Sequence, residues 1–147
     1  MSADLTKAAV ITLLTALPGV NGVFDGKPQP PPWDRVPYWH LELATYNLTQ
    51  LTFGPGGLWQ AAYAYRATLT IGQANIAPAG AQATAGILAH AFLVAVGADK
   101  TLGGRCLEAV ATFQHGTLEN AAFILLRVPP TLTWLIRISE YGPLGSV

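Results

Sequence analysis

Two stretches rich in strand-forming residues, joined by a glycine-rich turn, constrain the fold of this chain more than any other feature. Residues 36–52 and 58–71 both alternate between side chains of different character. A period of two residues is typical of half-buried β-strands. The sequence FGPGG at residues 53–57 is rich in residues that favour chain reversal. The pattern therefore predicts a long antiparallel β-hairpin.

The predicted hairpin is long for the size of the chain. A strand over residues 58–71 would reach roughly 46 Å at about 3.3 Å per residue. A compact domain of 147 residues has a diameter of only about 40 Å. Either a bulge interrupts the strands or the end of the hairpin leaves the globule. A projecting arm with little charge is suited to contact with a neighbouring molecule.

Other patterns predict two helices and further strands. Apolar residues at helical spacing end at Pro18-Gly19, which predicts a first helix over about residues 4–17. A second helix is predicted over about 78–96, between Pro78 and Gly97. A proline-rich loop is predicted around residues 28–32. The further strands are predicted over 20–24, 105–114, 122–128 and 132–139.

This order of elements predicts an α+β fold, with two helices packed on a largely antiparallel sheet with a long β-hairpin. One domain over residues 1–141 accounts for the length, and 142–147 are predicted to be a short C-terminal tail. The N-terminus is interpreted as mature sequence, because Lys7 lies inside the first apolar run. Residues 77–98 contain Gln82 and His90 and lack flanking basic clusters, so no membrane contact is predicted.

The scarcity of charge bears on function. Only 11% of the residues are charged, whereas 51% are hydrophobic. Soluble proteins normally present many Lys, Glu, Asp and Arg side chains to water, and large exposed apolar patches mark interaction sites. The chain is therefore predicted to be a component of an assembly. The formal net charge is zero and no Lys/Arg run occurs, which argues against direct DNA recognition.

No catalytic residue, metal or cofactor is predicted. Phosphate-binding, dinucleotide-binding, metalloprotease and nucleophile-elbow motifs are all missing from the sequence. His40 and Glu42 share a strand face and, with His90 or His115, are candidate metal ligands. We interpret this pair as part of a solvated or interfacial face. Cys106 lacks the local sequence of a catalytic nucleophile.

Arginine and aromatic residues leave alternatives open. We expect the strand arginines to lie at the sheet surface in ion pairs with glutamates. The alternative is that these arginines line a passage for DNA. The residues concerned are Arg66, Arg127 and Arg137 with Glu42, Glu108 and Glu140. The aromatic residues around the proline loop and hairpin could form a ligand pocket, an interface or part of the core. They are Trp33, Tyr38, Trp39, Tyr46, Trp59, Tyr63 and Tyr65.

Four ordered segments resemble the tail terminator proteins of long-tailed bacteriophages. They are TALPGVNGVF (15–24), VPYWHLEL (36–43), RATLTIG (66–72) and AGAQATAGILAHAFLVAV (79–96), followed by a small loop and a predicted meander. The resemblance covers about residues 5–139 and is one of pattern more than of signature residues. The proline-rich segment 28–32 and the apolar segment 47–59 depart from the family pattern.

The resemblance implies a structural virion protein without enzymatic activity. Such a protein forms a ring, expected to be hexameric, that caps the completed tail tube and joins it to the head connector. The implied partners are further copies of the chain, the tail tube protein and the connector or neck protein, with DNA only as the genome passing through the ring. It would assemble in the host cytoplasm and be located in the virion. The alternatives are another neck, connector or minor tail protein and, in a different class, a small ligand-binding or enzymatic α+β domain.

Interface residues are expected in the hairpin tip, in the proline loop and on one face of the second helix. Small residues on that helix face would let another backbone approach closely. The predicted interface residues are Leu48, Leu51, Phe53 and Trp59 in the tip, Trp33 in the loop, and Gln82, Gly86 and His90 on the helix.

Overall fold

The computed structural model describes residues 2–51, 57–72, 78–102, 108–116 and 131–143. These residues form two helices, a single 3-10 turn and five strands. In chain order they are α1 (Ser2–Thr15), β1 (Gly22–Asp25), the 3-10 turn (Trp33–Arg35), β2 (Tyr38–Gln50), β3 (Leu58–Thr70), α2 (Pro78–Ala98), β4 (Glu108–Gly116) and β5 (Thr131–Pro143). The predicted α+β class and the β-hairpin are confirmed. The strand predicted over 122–128 lies outside the described residues.

The five strands form one sheet in the order β1-β2-β3-β5-β4. The β1 strand runs parallel to β2, and the other pairs are antiparallel. The β3 strand pairs with β5 along its whole length, from Leu58 opposite Pro143 to Thr70 opposite Thr131. The hairpin is therefore backed by a third strand and is not a free two-stranded arm. The β5 strand also includes residues 142–143, the first two residues of the segment predicted to be a tail.

A bulge interrupts β2, as the length of the predicted strands suggested. Leu43 lies opposite Tyr65 and Thr45 opposite Ala64, so Ala44 is the extra residue in the β2 strand. A bulge bends the strand and increases its twist. Before the bulge, residues 38–41 are buried, whereas every residue from 45 to 51 is exposed.

Both helices pack on the same face of the sheet, here called the helix face. The α1 helix contributes Val10 and Leu14, which are one turn apart and almost completely buried. The α2 helix contributes Phe92, whose ring centroid lies 5.0 Å from that of Trp39 and 5.0 Å from that of Trp134. Other residues on the helix face are Leu41, Tyr63, Tyr65, Ala67, Leu69, Ile136 and Ile138, all buried. The aromatic cluster thus forms the centre of the core.

The alternate residues of the strands lie on the other side of the sheet, here called the opposite face. They include Glu42, Arg66, Thr68, Thr133 and Arg137. In the described part of the chain, neither helix combines the length and hydropathy needed to cross a membrane.

Candidate interaction surfaces

The outer side of α2 is an exposed apolar surface. Ile87 is 70% exposed, Val94 56% and Leu93 49%. Gly86 and His90 lie between them and are also exposed, as expected for the predicted helix face. The whole of α2 (Pro78–Ala98) contains no Asp, Glu, Lys or Arg. We call residues 86–94 on this side the α2 surface.

Ile87 and Val94 are missing from the interface set predicted from the sequence. They are seven residues apart, two turns along the helix, and lie on the same side as His90. The helical spacing predicts a buried stripe of Thr84, Leu88, Ala91, Phe92 and Ala95. Leu88 and Phe92 are buried together with Ala85 and Val96, at spacings of three and four, whereas Thr84, Ala91 and Ala95 are half-buried.

The second exposed surface is formed by residues 45–50 of β2 and the next residue, Leu51, here together called the distal segment of β2. The pairing with β3 places the side chains of Tyr46 and Leu48 on the helix face and that of Leu51 on the opposite face. Leu48 and Leu51 are exposed here, as predicted for interface residues. Tyr46 is 36% exposed, and its ring stacks on that of Tyr63 with the two centroids 5.5 Å apart. Trp59 differs, because it is half-buried and packs against the core. Phe53 and the side chains of Trp33 and Gln82 lie outside the described residues. Four of the eight predicted residues, Leu48, Leu51, Gly86 and His90, are thus exposed, and they lie on two separate surfaces.

A groove of about 300 Å³ adjoins the C-terminal part of the α2 surface. It lies between α2 and β4, and its lining includes Leu93, Gly97, Ala109 and Val110. Lys100 and Glu108 also line the groove, so the uncharged surface of the helix ends here.

Of the four candidate metal ligands, the structure brings together His40 and Glu42, and the side chain of His115 lies outside the described residues. His40 Nε2 lies 3.2 Å from Glu42 Oε1 on the opposite face of the sheet. His115 is in β4, three strands away from β2, which is about 14 Å at about 4.8 Å per strand. His90 belongs to α2, on the helix face. In the described part of the chain, no three His, Cys, Asp or Glu residues are grouped as metal ligands.

Burial, more than any charge, controls the ionisation of His40. It lowers the pKa of the imidazole below the usual 6.5, and Lys27 acts in the same direction, while Glu42 opposes both. His40 is therefore neutral at pH 7. The contact between His40 and Glu42 is therefore a hydrogen bond between two residues on one face of β2, and it is not an ion pair.

The predicted ion pairs of the strand arginines are not formed by Arg66 and Arg137. Arg66 lies opposite Glu42, but its Nε atom donates a hydrogen bond to Gln114 Oε1, at 3.4 Å. Arg137 is exposed on the opposite face, whereas Glu140 is buried on the helix face, where it accepts a hydrogen bond from Thr6 Oγ1 at 2.9 Å. Arg127 lies outside the described residues.

A shallow concavity of about 450 Å³ lies between these two arginines. Small residues form much of its lining, including Ala44, Ala62 and Ser139. Tyr63 also contributes to this lining, whereas Trp39 and Tyr65 do not, and all three rings pack into the core. Burial also raises the pKa of the Tyr63 phenol well above its usual value, so the phenol stays protonated.

No protein-family model and no curated protein matches the chain. The two uncharged apolar surfaces are therefore the features from which a function can be inferred.

Proposed function

We propose that this chain is a structural virion protein, a ring-forming tail terminator that caps the tail tube of a long-tailed bacteriophage and joins it to the head connector. The order of the four segments that resemble this family supports the proposal. The observation that carries it is the presence of two different uncharged apolar surfaces on one chain, the α2 surface and the distal segment of β2.

Two different surfaces suit a ring better than a symmetric pair. When one patch of a subunit contacts a different patch of the next, the contact is head-to-tail, and it closes into a ring if the rotation between subunits allows. The α2 surface lies on a helix outside the sheet, and the distal β2 segment lies beyond the bulge. A contact between the α2 surface of one subunit and side chains of the distal segment of the next would cover apolar area on both.

The proposal excludes a role for metal or covalent chemistry in the ring. The partners it requires are further copies of the chain, the tail tube protein and the connector or neck protein. DNA is present only as the genome that passes through the lumen. The protein assembles in the host cytoplasm and remains in the virion.

The test uses double variants of each surface together with purified tail tubes. Ile87→Ser with Val94→Ser alters the α2 surface, and Leu48→Ser with Leu51→Ser alters the distal segment. Both proteins are expected to keep the circular dichroism spectrum of the wild type, because these side chains are exposed. Electron microscopy is expected to show rings on tube ends with the wild type and a strong loss with either double variant.

Leu43→Ser is the matched control. Leu43 is 56% exposed and apolar, but it precedes the bulge and belongs to neither surface. This variant should cap tubes as the wild type does. A wild-type protein that forms no ring, alone or with tubes, would contradict the proposal, and rings that bind connectors but never tubes would identify a neck protein instead.

A further inference from the structure

Among the residues that the structure describes, no strand adjoins one edge of β2 over most of its length. The β1 strand pairs only with residues 38–41 of β2. In the described parts of the chain, no strand lies along that side of β2 beyond Leu41. Residues 45–50 are all exposed, although β3 pairs with them on the other side. The free edge therefore begins at the bulge and covers residues 45–49.

The pairing with β3 determines which backbone groups point to this edge. Leu51 N donates to Leu58 O at 2.8 Å, so this opposed pair directs its hydrogen-bonding groups inwards. Directions alternate along an antiparallel strand. The backbone N–H and C=O groups of Thr45, Asn47 and Thr49 therefore bond to β3. Those of Tyr46 and Leu48 point the other way, towards the free edge of β2.

The edge has few of the features by which proteins prevent strand addition. Edge strands are commonly protected by lysine, proline or a bulge. No charged residue occurs between Glu42 and Arg66, and residues 45–51 contain no proline. The bulge at Ala44 protects only the start of the edge. Residues 45–49 are thus suited to bind an extended strand.

The sequence of this edge is complementary to itself. Consider two copies arranged antiparallel about a two-fold axis at Asn47. Tyr46 then lies opposite Leu48 of the other copy, and both residues have the outward backbone groups that such a hydrogen-bonded pair requires. Thr45 lies opposite Thr49 on the other side of the sheet. Aromatic–aliphatic and Thr–Thr pairs are both favourable across strands, and no like charges meet.

We propose that the free edge of β2 binds the same edge of a second copy of this chain, with the two-fold axis at Asn47. The contact consists of main-chain hydrogen bonds between Tyr46 and Leu48 of the two copies, flanked by the Thr pairs. Because it is symmetric, it joins two copies and no more. It goes beyond the ring proposal, leaves the α2 surface uncovered and does not depend on the protein being a tail terminator.

The test exploits the position of Asn47 on the axis. Asn47→Lys and Asn47→Asp each place two like charges opposite one another, which should weaken self-association by about two- to fivefold. An equimolar mixture of the two variants places Lys opposite Asp and should restore it. Thr49→Lys is the matched control, since its charge faces Thr45 and should have a much smaller effect. Sedimentation equilibrium over a range of concentrations measures all four samples.

Amide hydrogen exchange gives an independent readout in the wild type. On raising the protein concentration, the amides of Tyr46 and Leu48 should become protected, while those of Thr45, Asn47 and Thr49 should not change because they already bond to β3. A wild type that stays monomeric throughout would overturn the proposal. So would Asn47 variants that associate as the wild type does, or a mixture that fails to restore association.

Discussion

At the scale of single residues, the hydrogen bond between Thr6 and Glu140 joins the first helix to the last strand. Thr6 is 0% exposed and Glu140 4%, and the carboxylate lies beneath α1 on the helix face. A buried carboxylate needs hydrogen-bond donors to replace the water that it has lost. The bond therefore fixes α1 on the sheet at one defined place, which apolar contacts alone would not specify.

Thr6→Val should lower the free energy of unfolding by about 1–3 kcal/mol, because it removes a donor from a buried carboxylate while keeping the shape of the side chain. Chemical denaturation followed by circular dichroism measures the change. Thr12→Val is the control. The Thr12 hydroxyl also donates a bond at 2.9 Å, but to the Ala8 carbonyl of its own helix and in an exposed position, so a change within about 0.5 kcal/mol is expected. Equal effects of the two substitutions would contradict the role assigned to Thr6.

At the scale of elements, α2 places a glycine, Gly86, at the N-terminal end of its exposed surface. A Cβ atom at Gly86 would meet nothing within 4 Å, so the fold itself does not require glycine there. Glycine within a helix costs about 0.5–1 kcal/mol relative to alanine. Its presence is consistent with close approach of another backbone at the α2 surface.

Gly86→Ala is expected to stabilise the isolated subunit by about 0.5–1 kcal/mol and to weaken capping of tail tubes. A gain in subunit stability combined with a loss of capping would indicate that Gly86 serves the interface and not the folding of the subunit. Thermal denaturation measures the first effect and electron microscopy of capped tubes the second. Gly97→Ala, which also has free space for a Cβ atom but lies beyond the α2 surface, should leave capping unchanged. Normal capping by Gly86→Ala would count against close packing at this position.

The elements differ in how far the sequence predicts them. Alternation and helical spacing are local signals, and they predict the hairpin and both helices to within a few residues. The strand order is set by contacts between distant residues, so the position of β5 between β3 and β4 could not be read from local pattern. The same limit applies to Trp59, whose burial depends on packing against the core, and to Arg137 and Glu140, which lie on opposite faces of the sheet.

At the scale of the whole molecule, charge is nearly absent from the two surfaces proposed to contact partners. The exposed α2 surface and the distal segment of β2 together contain no Asp, Glu, Lys or Arg. Contacts between such surfaces gain their free energy from apolar burial and main-chain hydrogen bonds, and neither is screened by salt as exposed ion pairs are.

Ring formation on tail tubes should therefore persist when the NaCl concentration is raised from about 0.05 M to about 0.5 M, a range over which exposed charges become strongly screened. Counting capped tubes at each concentration measures this. A steep loss of capping with added salt would show that charged residues outside the two surfaces dominate the contact.

The central position of β5 also has a consequence for synthesis. The β2, β3 and β4 strands leave the ribosome before β5, yet β3 and β4 are joined only through β5. Until β5 emerges, the nascent chain has a hairpin whose β3 edge is unpaired, in addition to the free edge of β2. Uncharged strand edges of this kind favour aggregation. Completion of the fold is thus a late event, and a chaperone that shields the hairpin while the last strand is made would raise the yield of native protein.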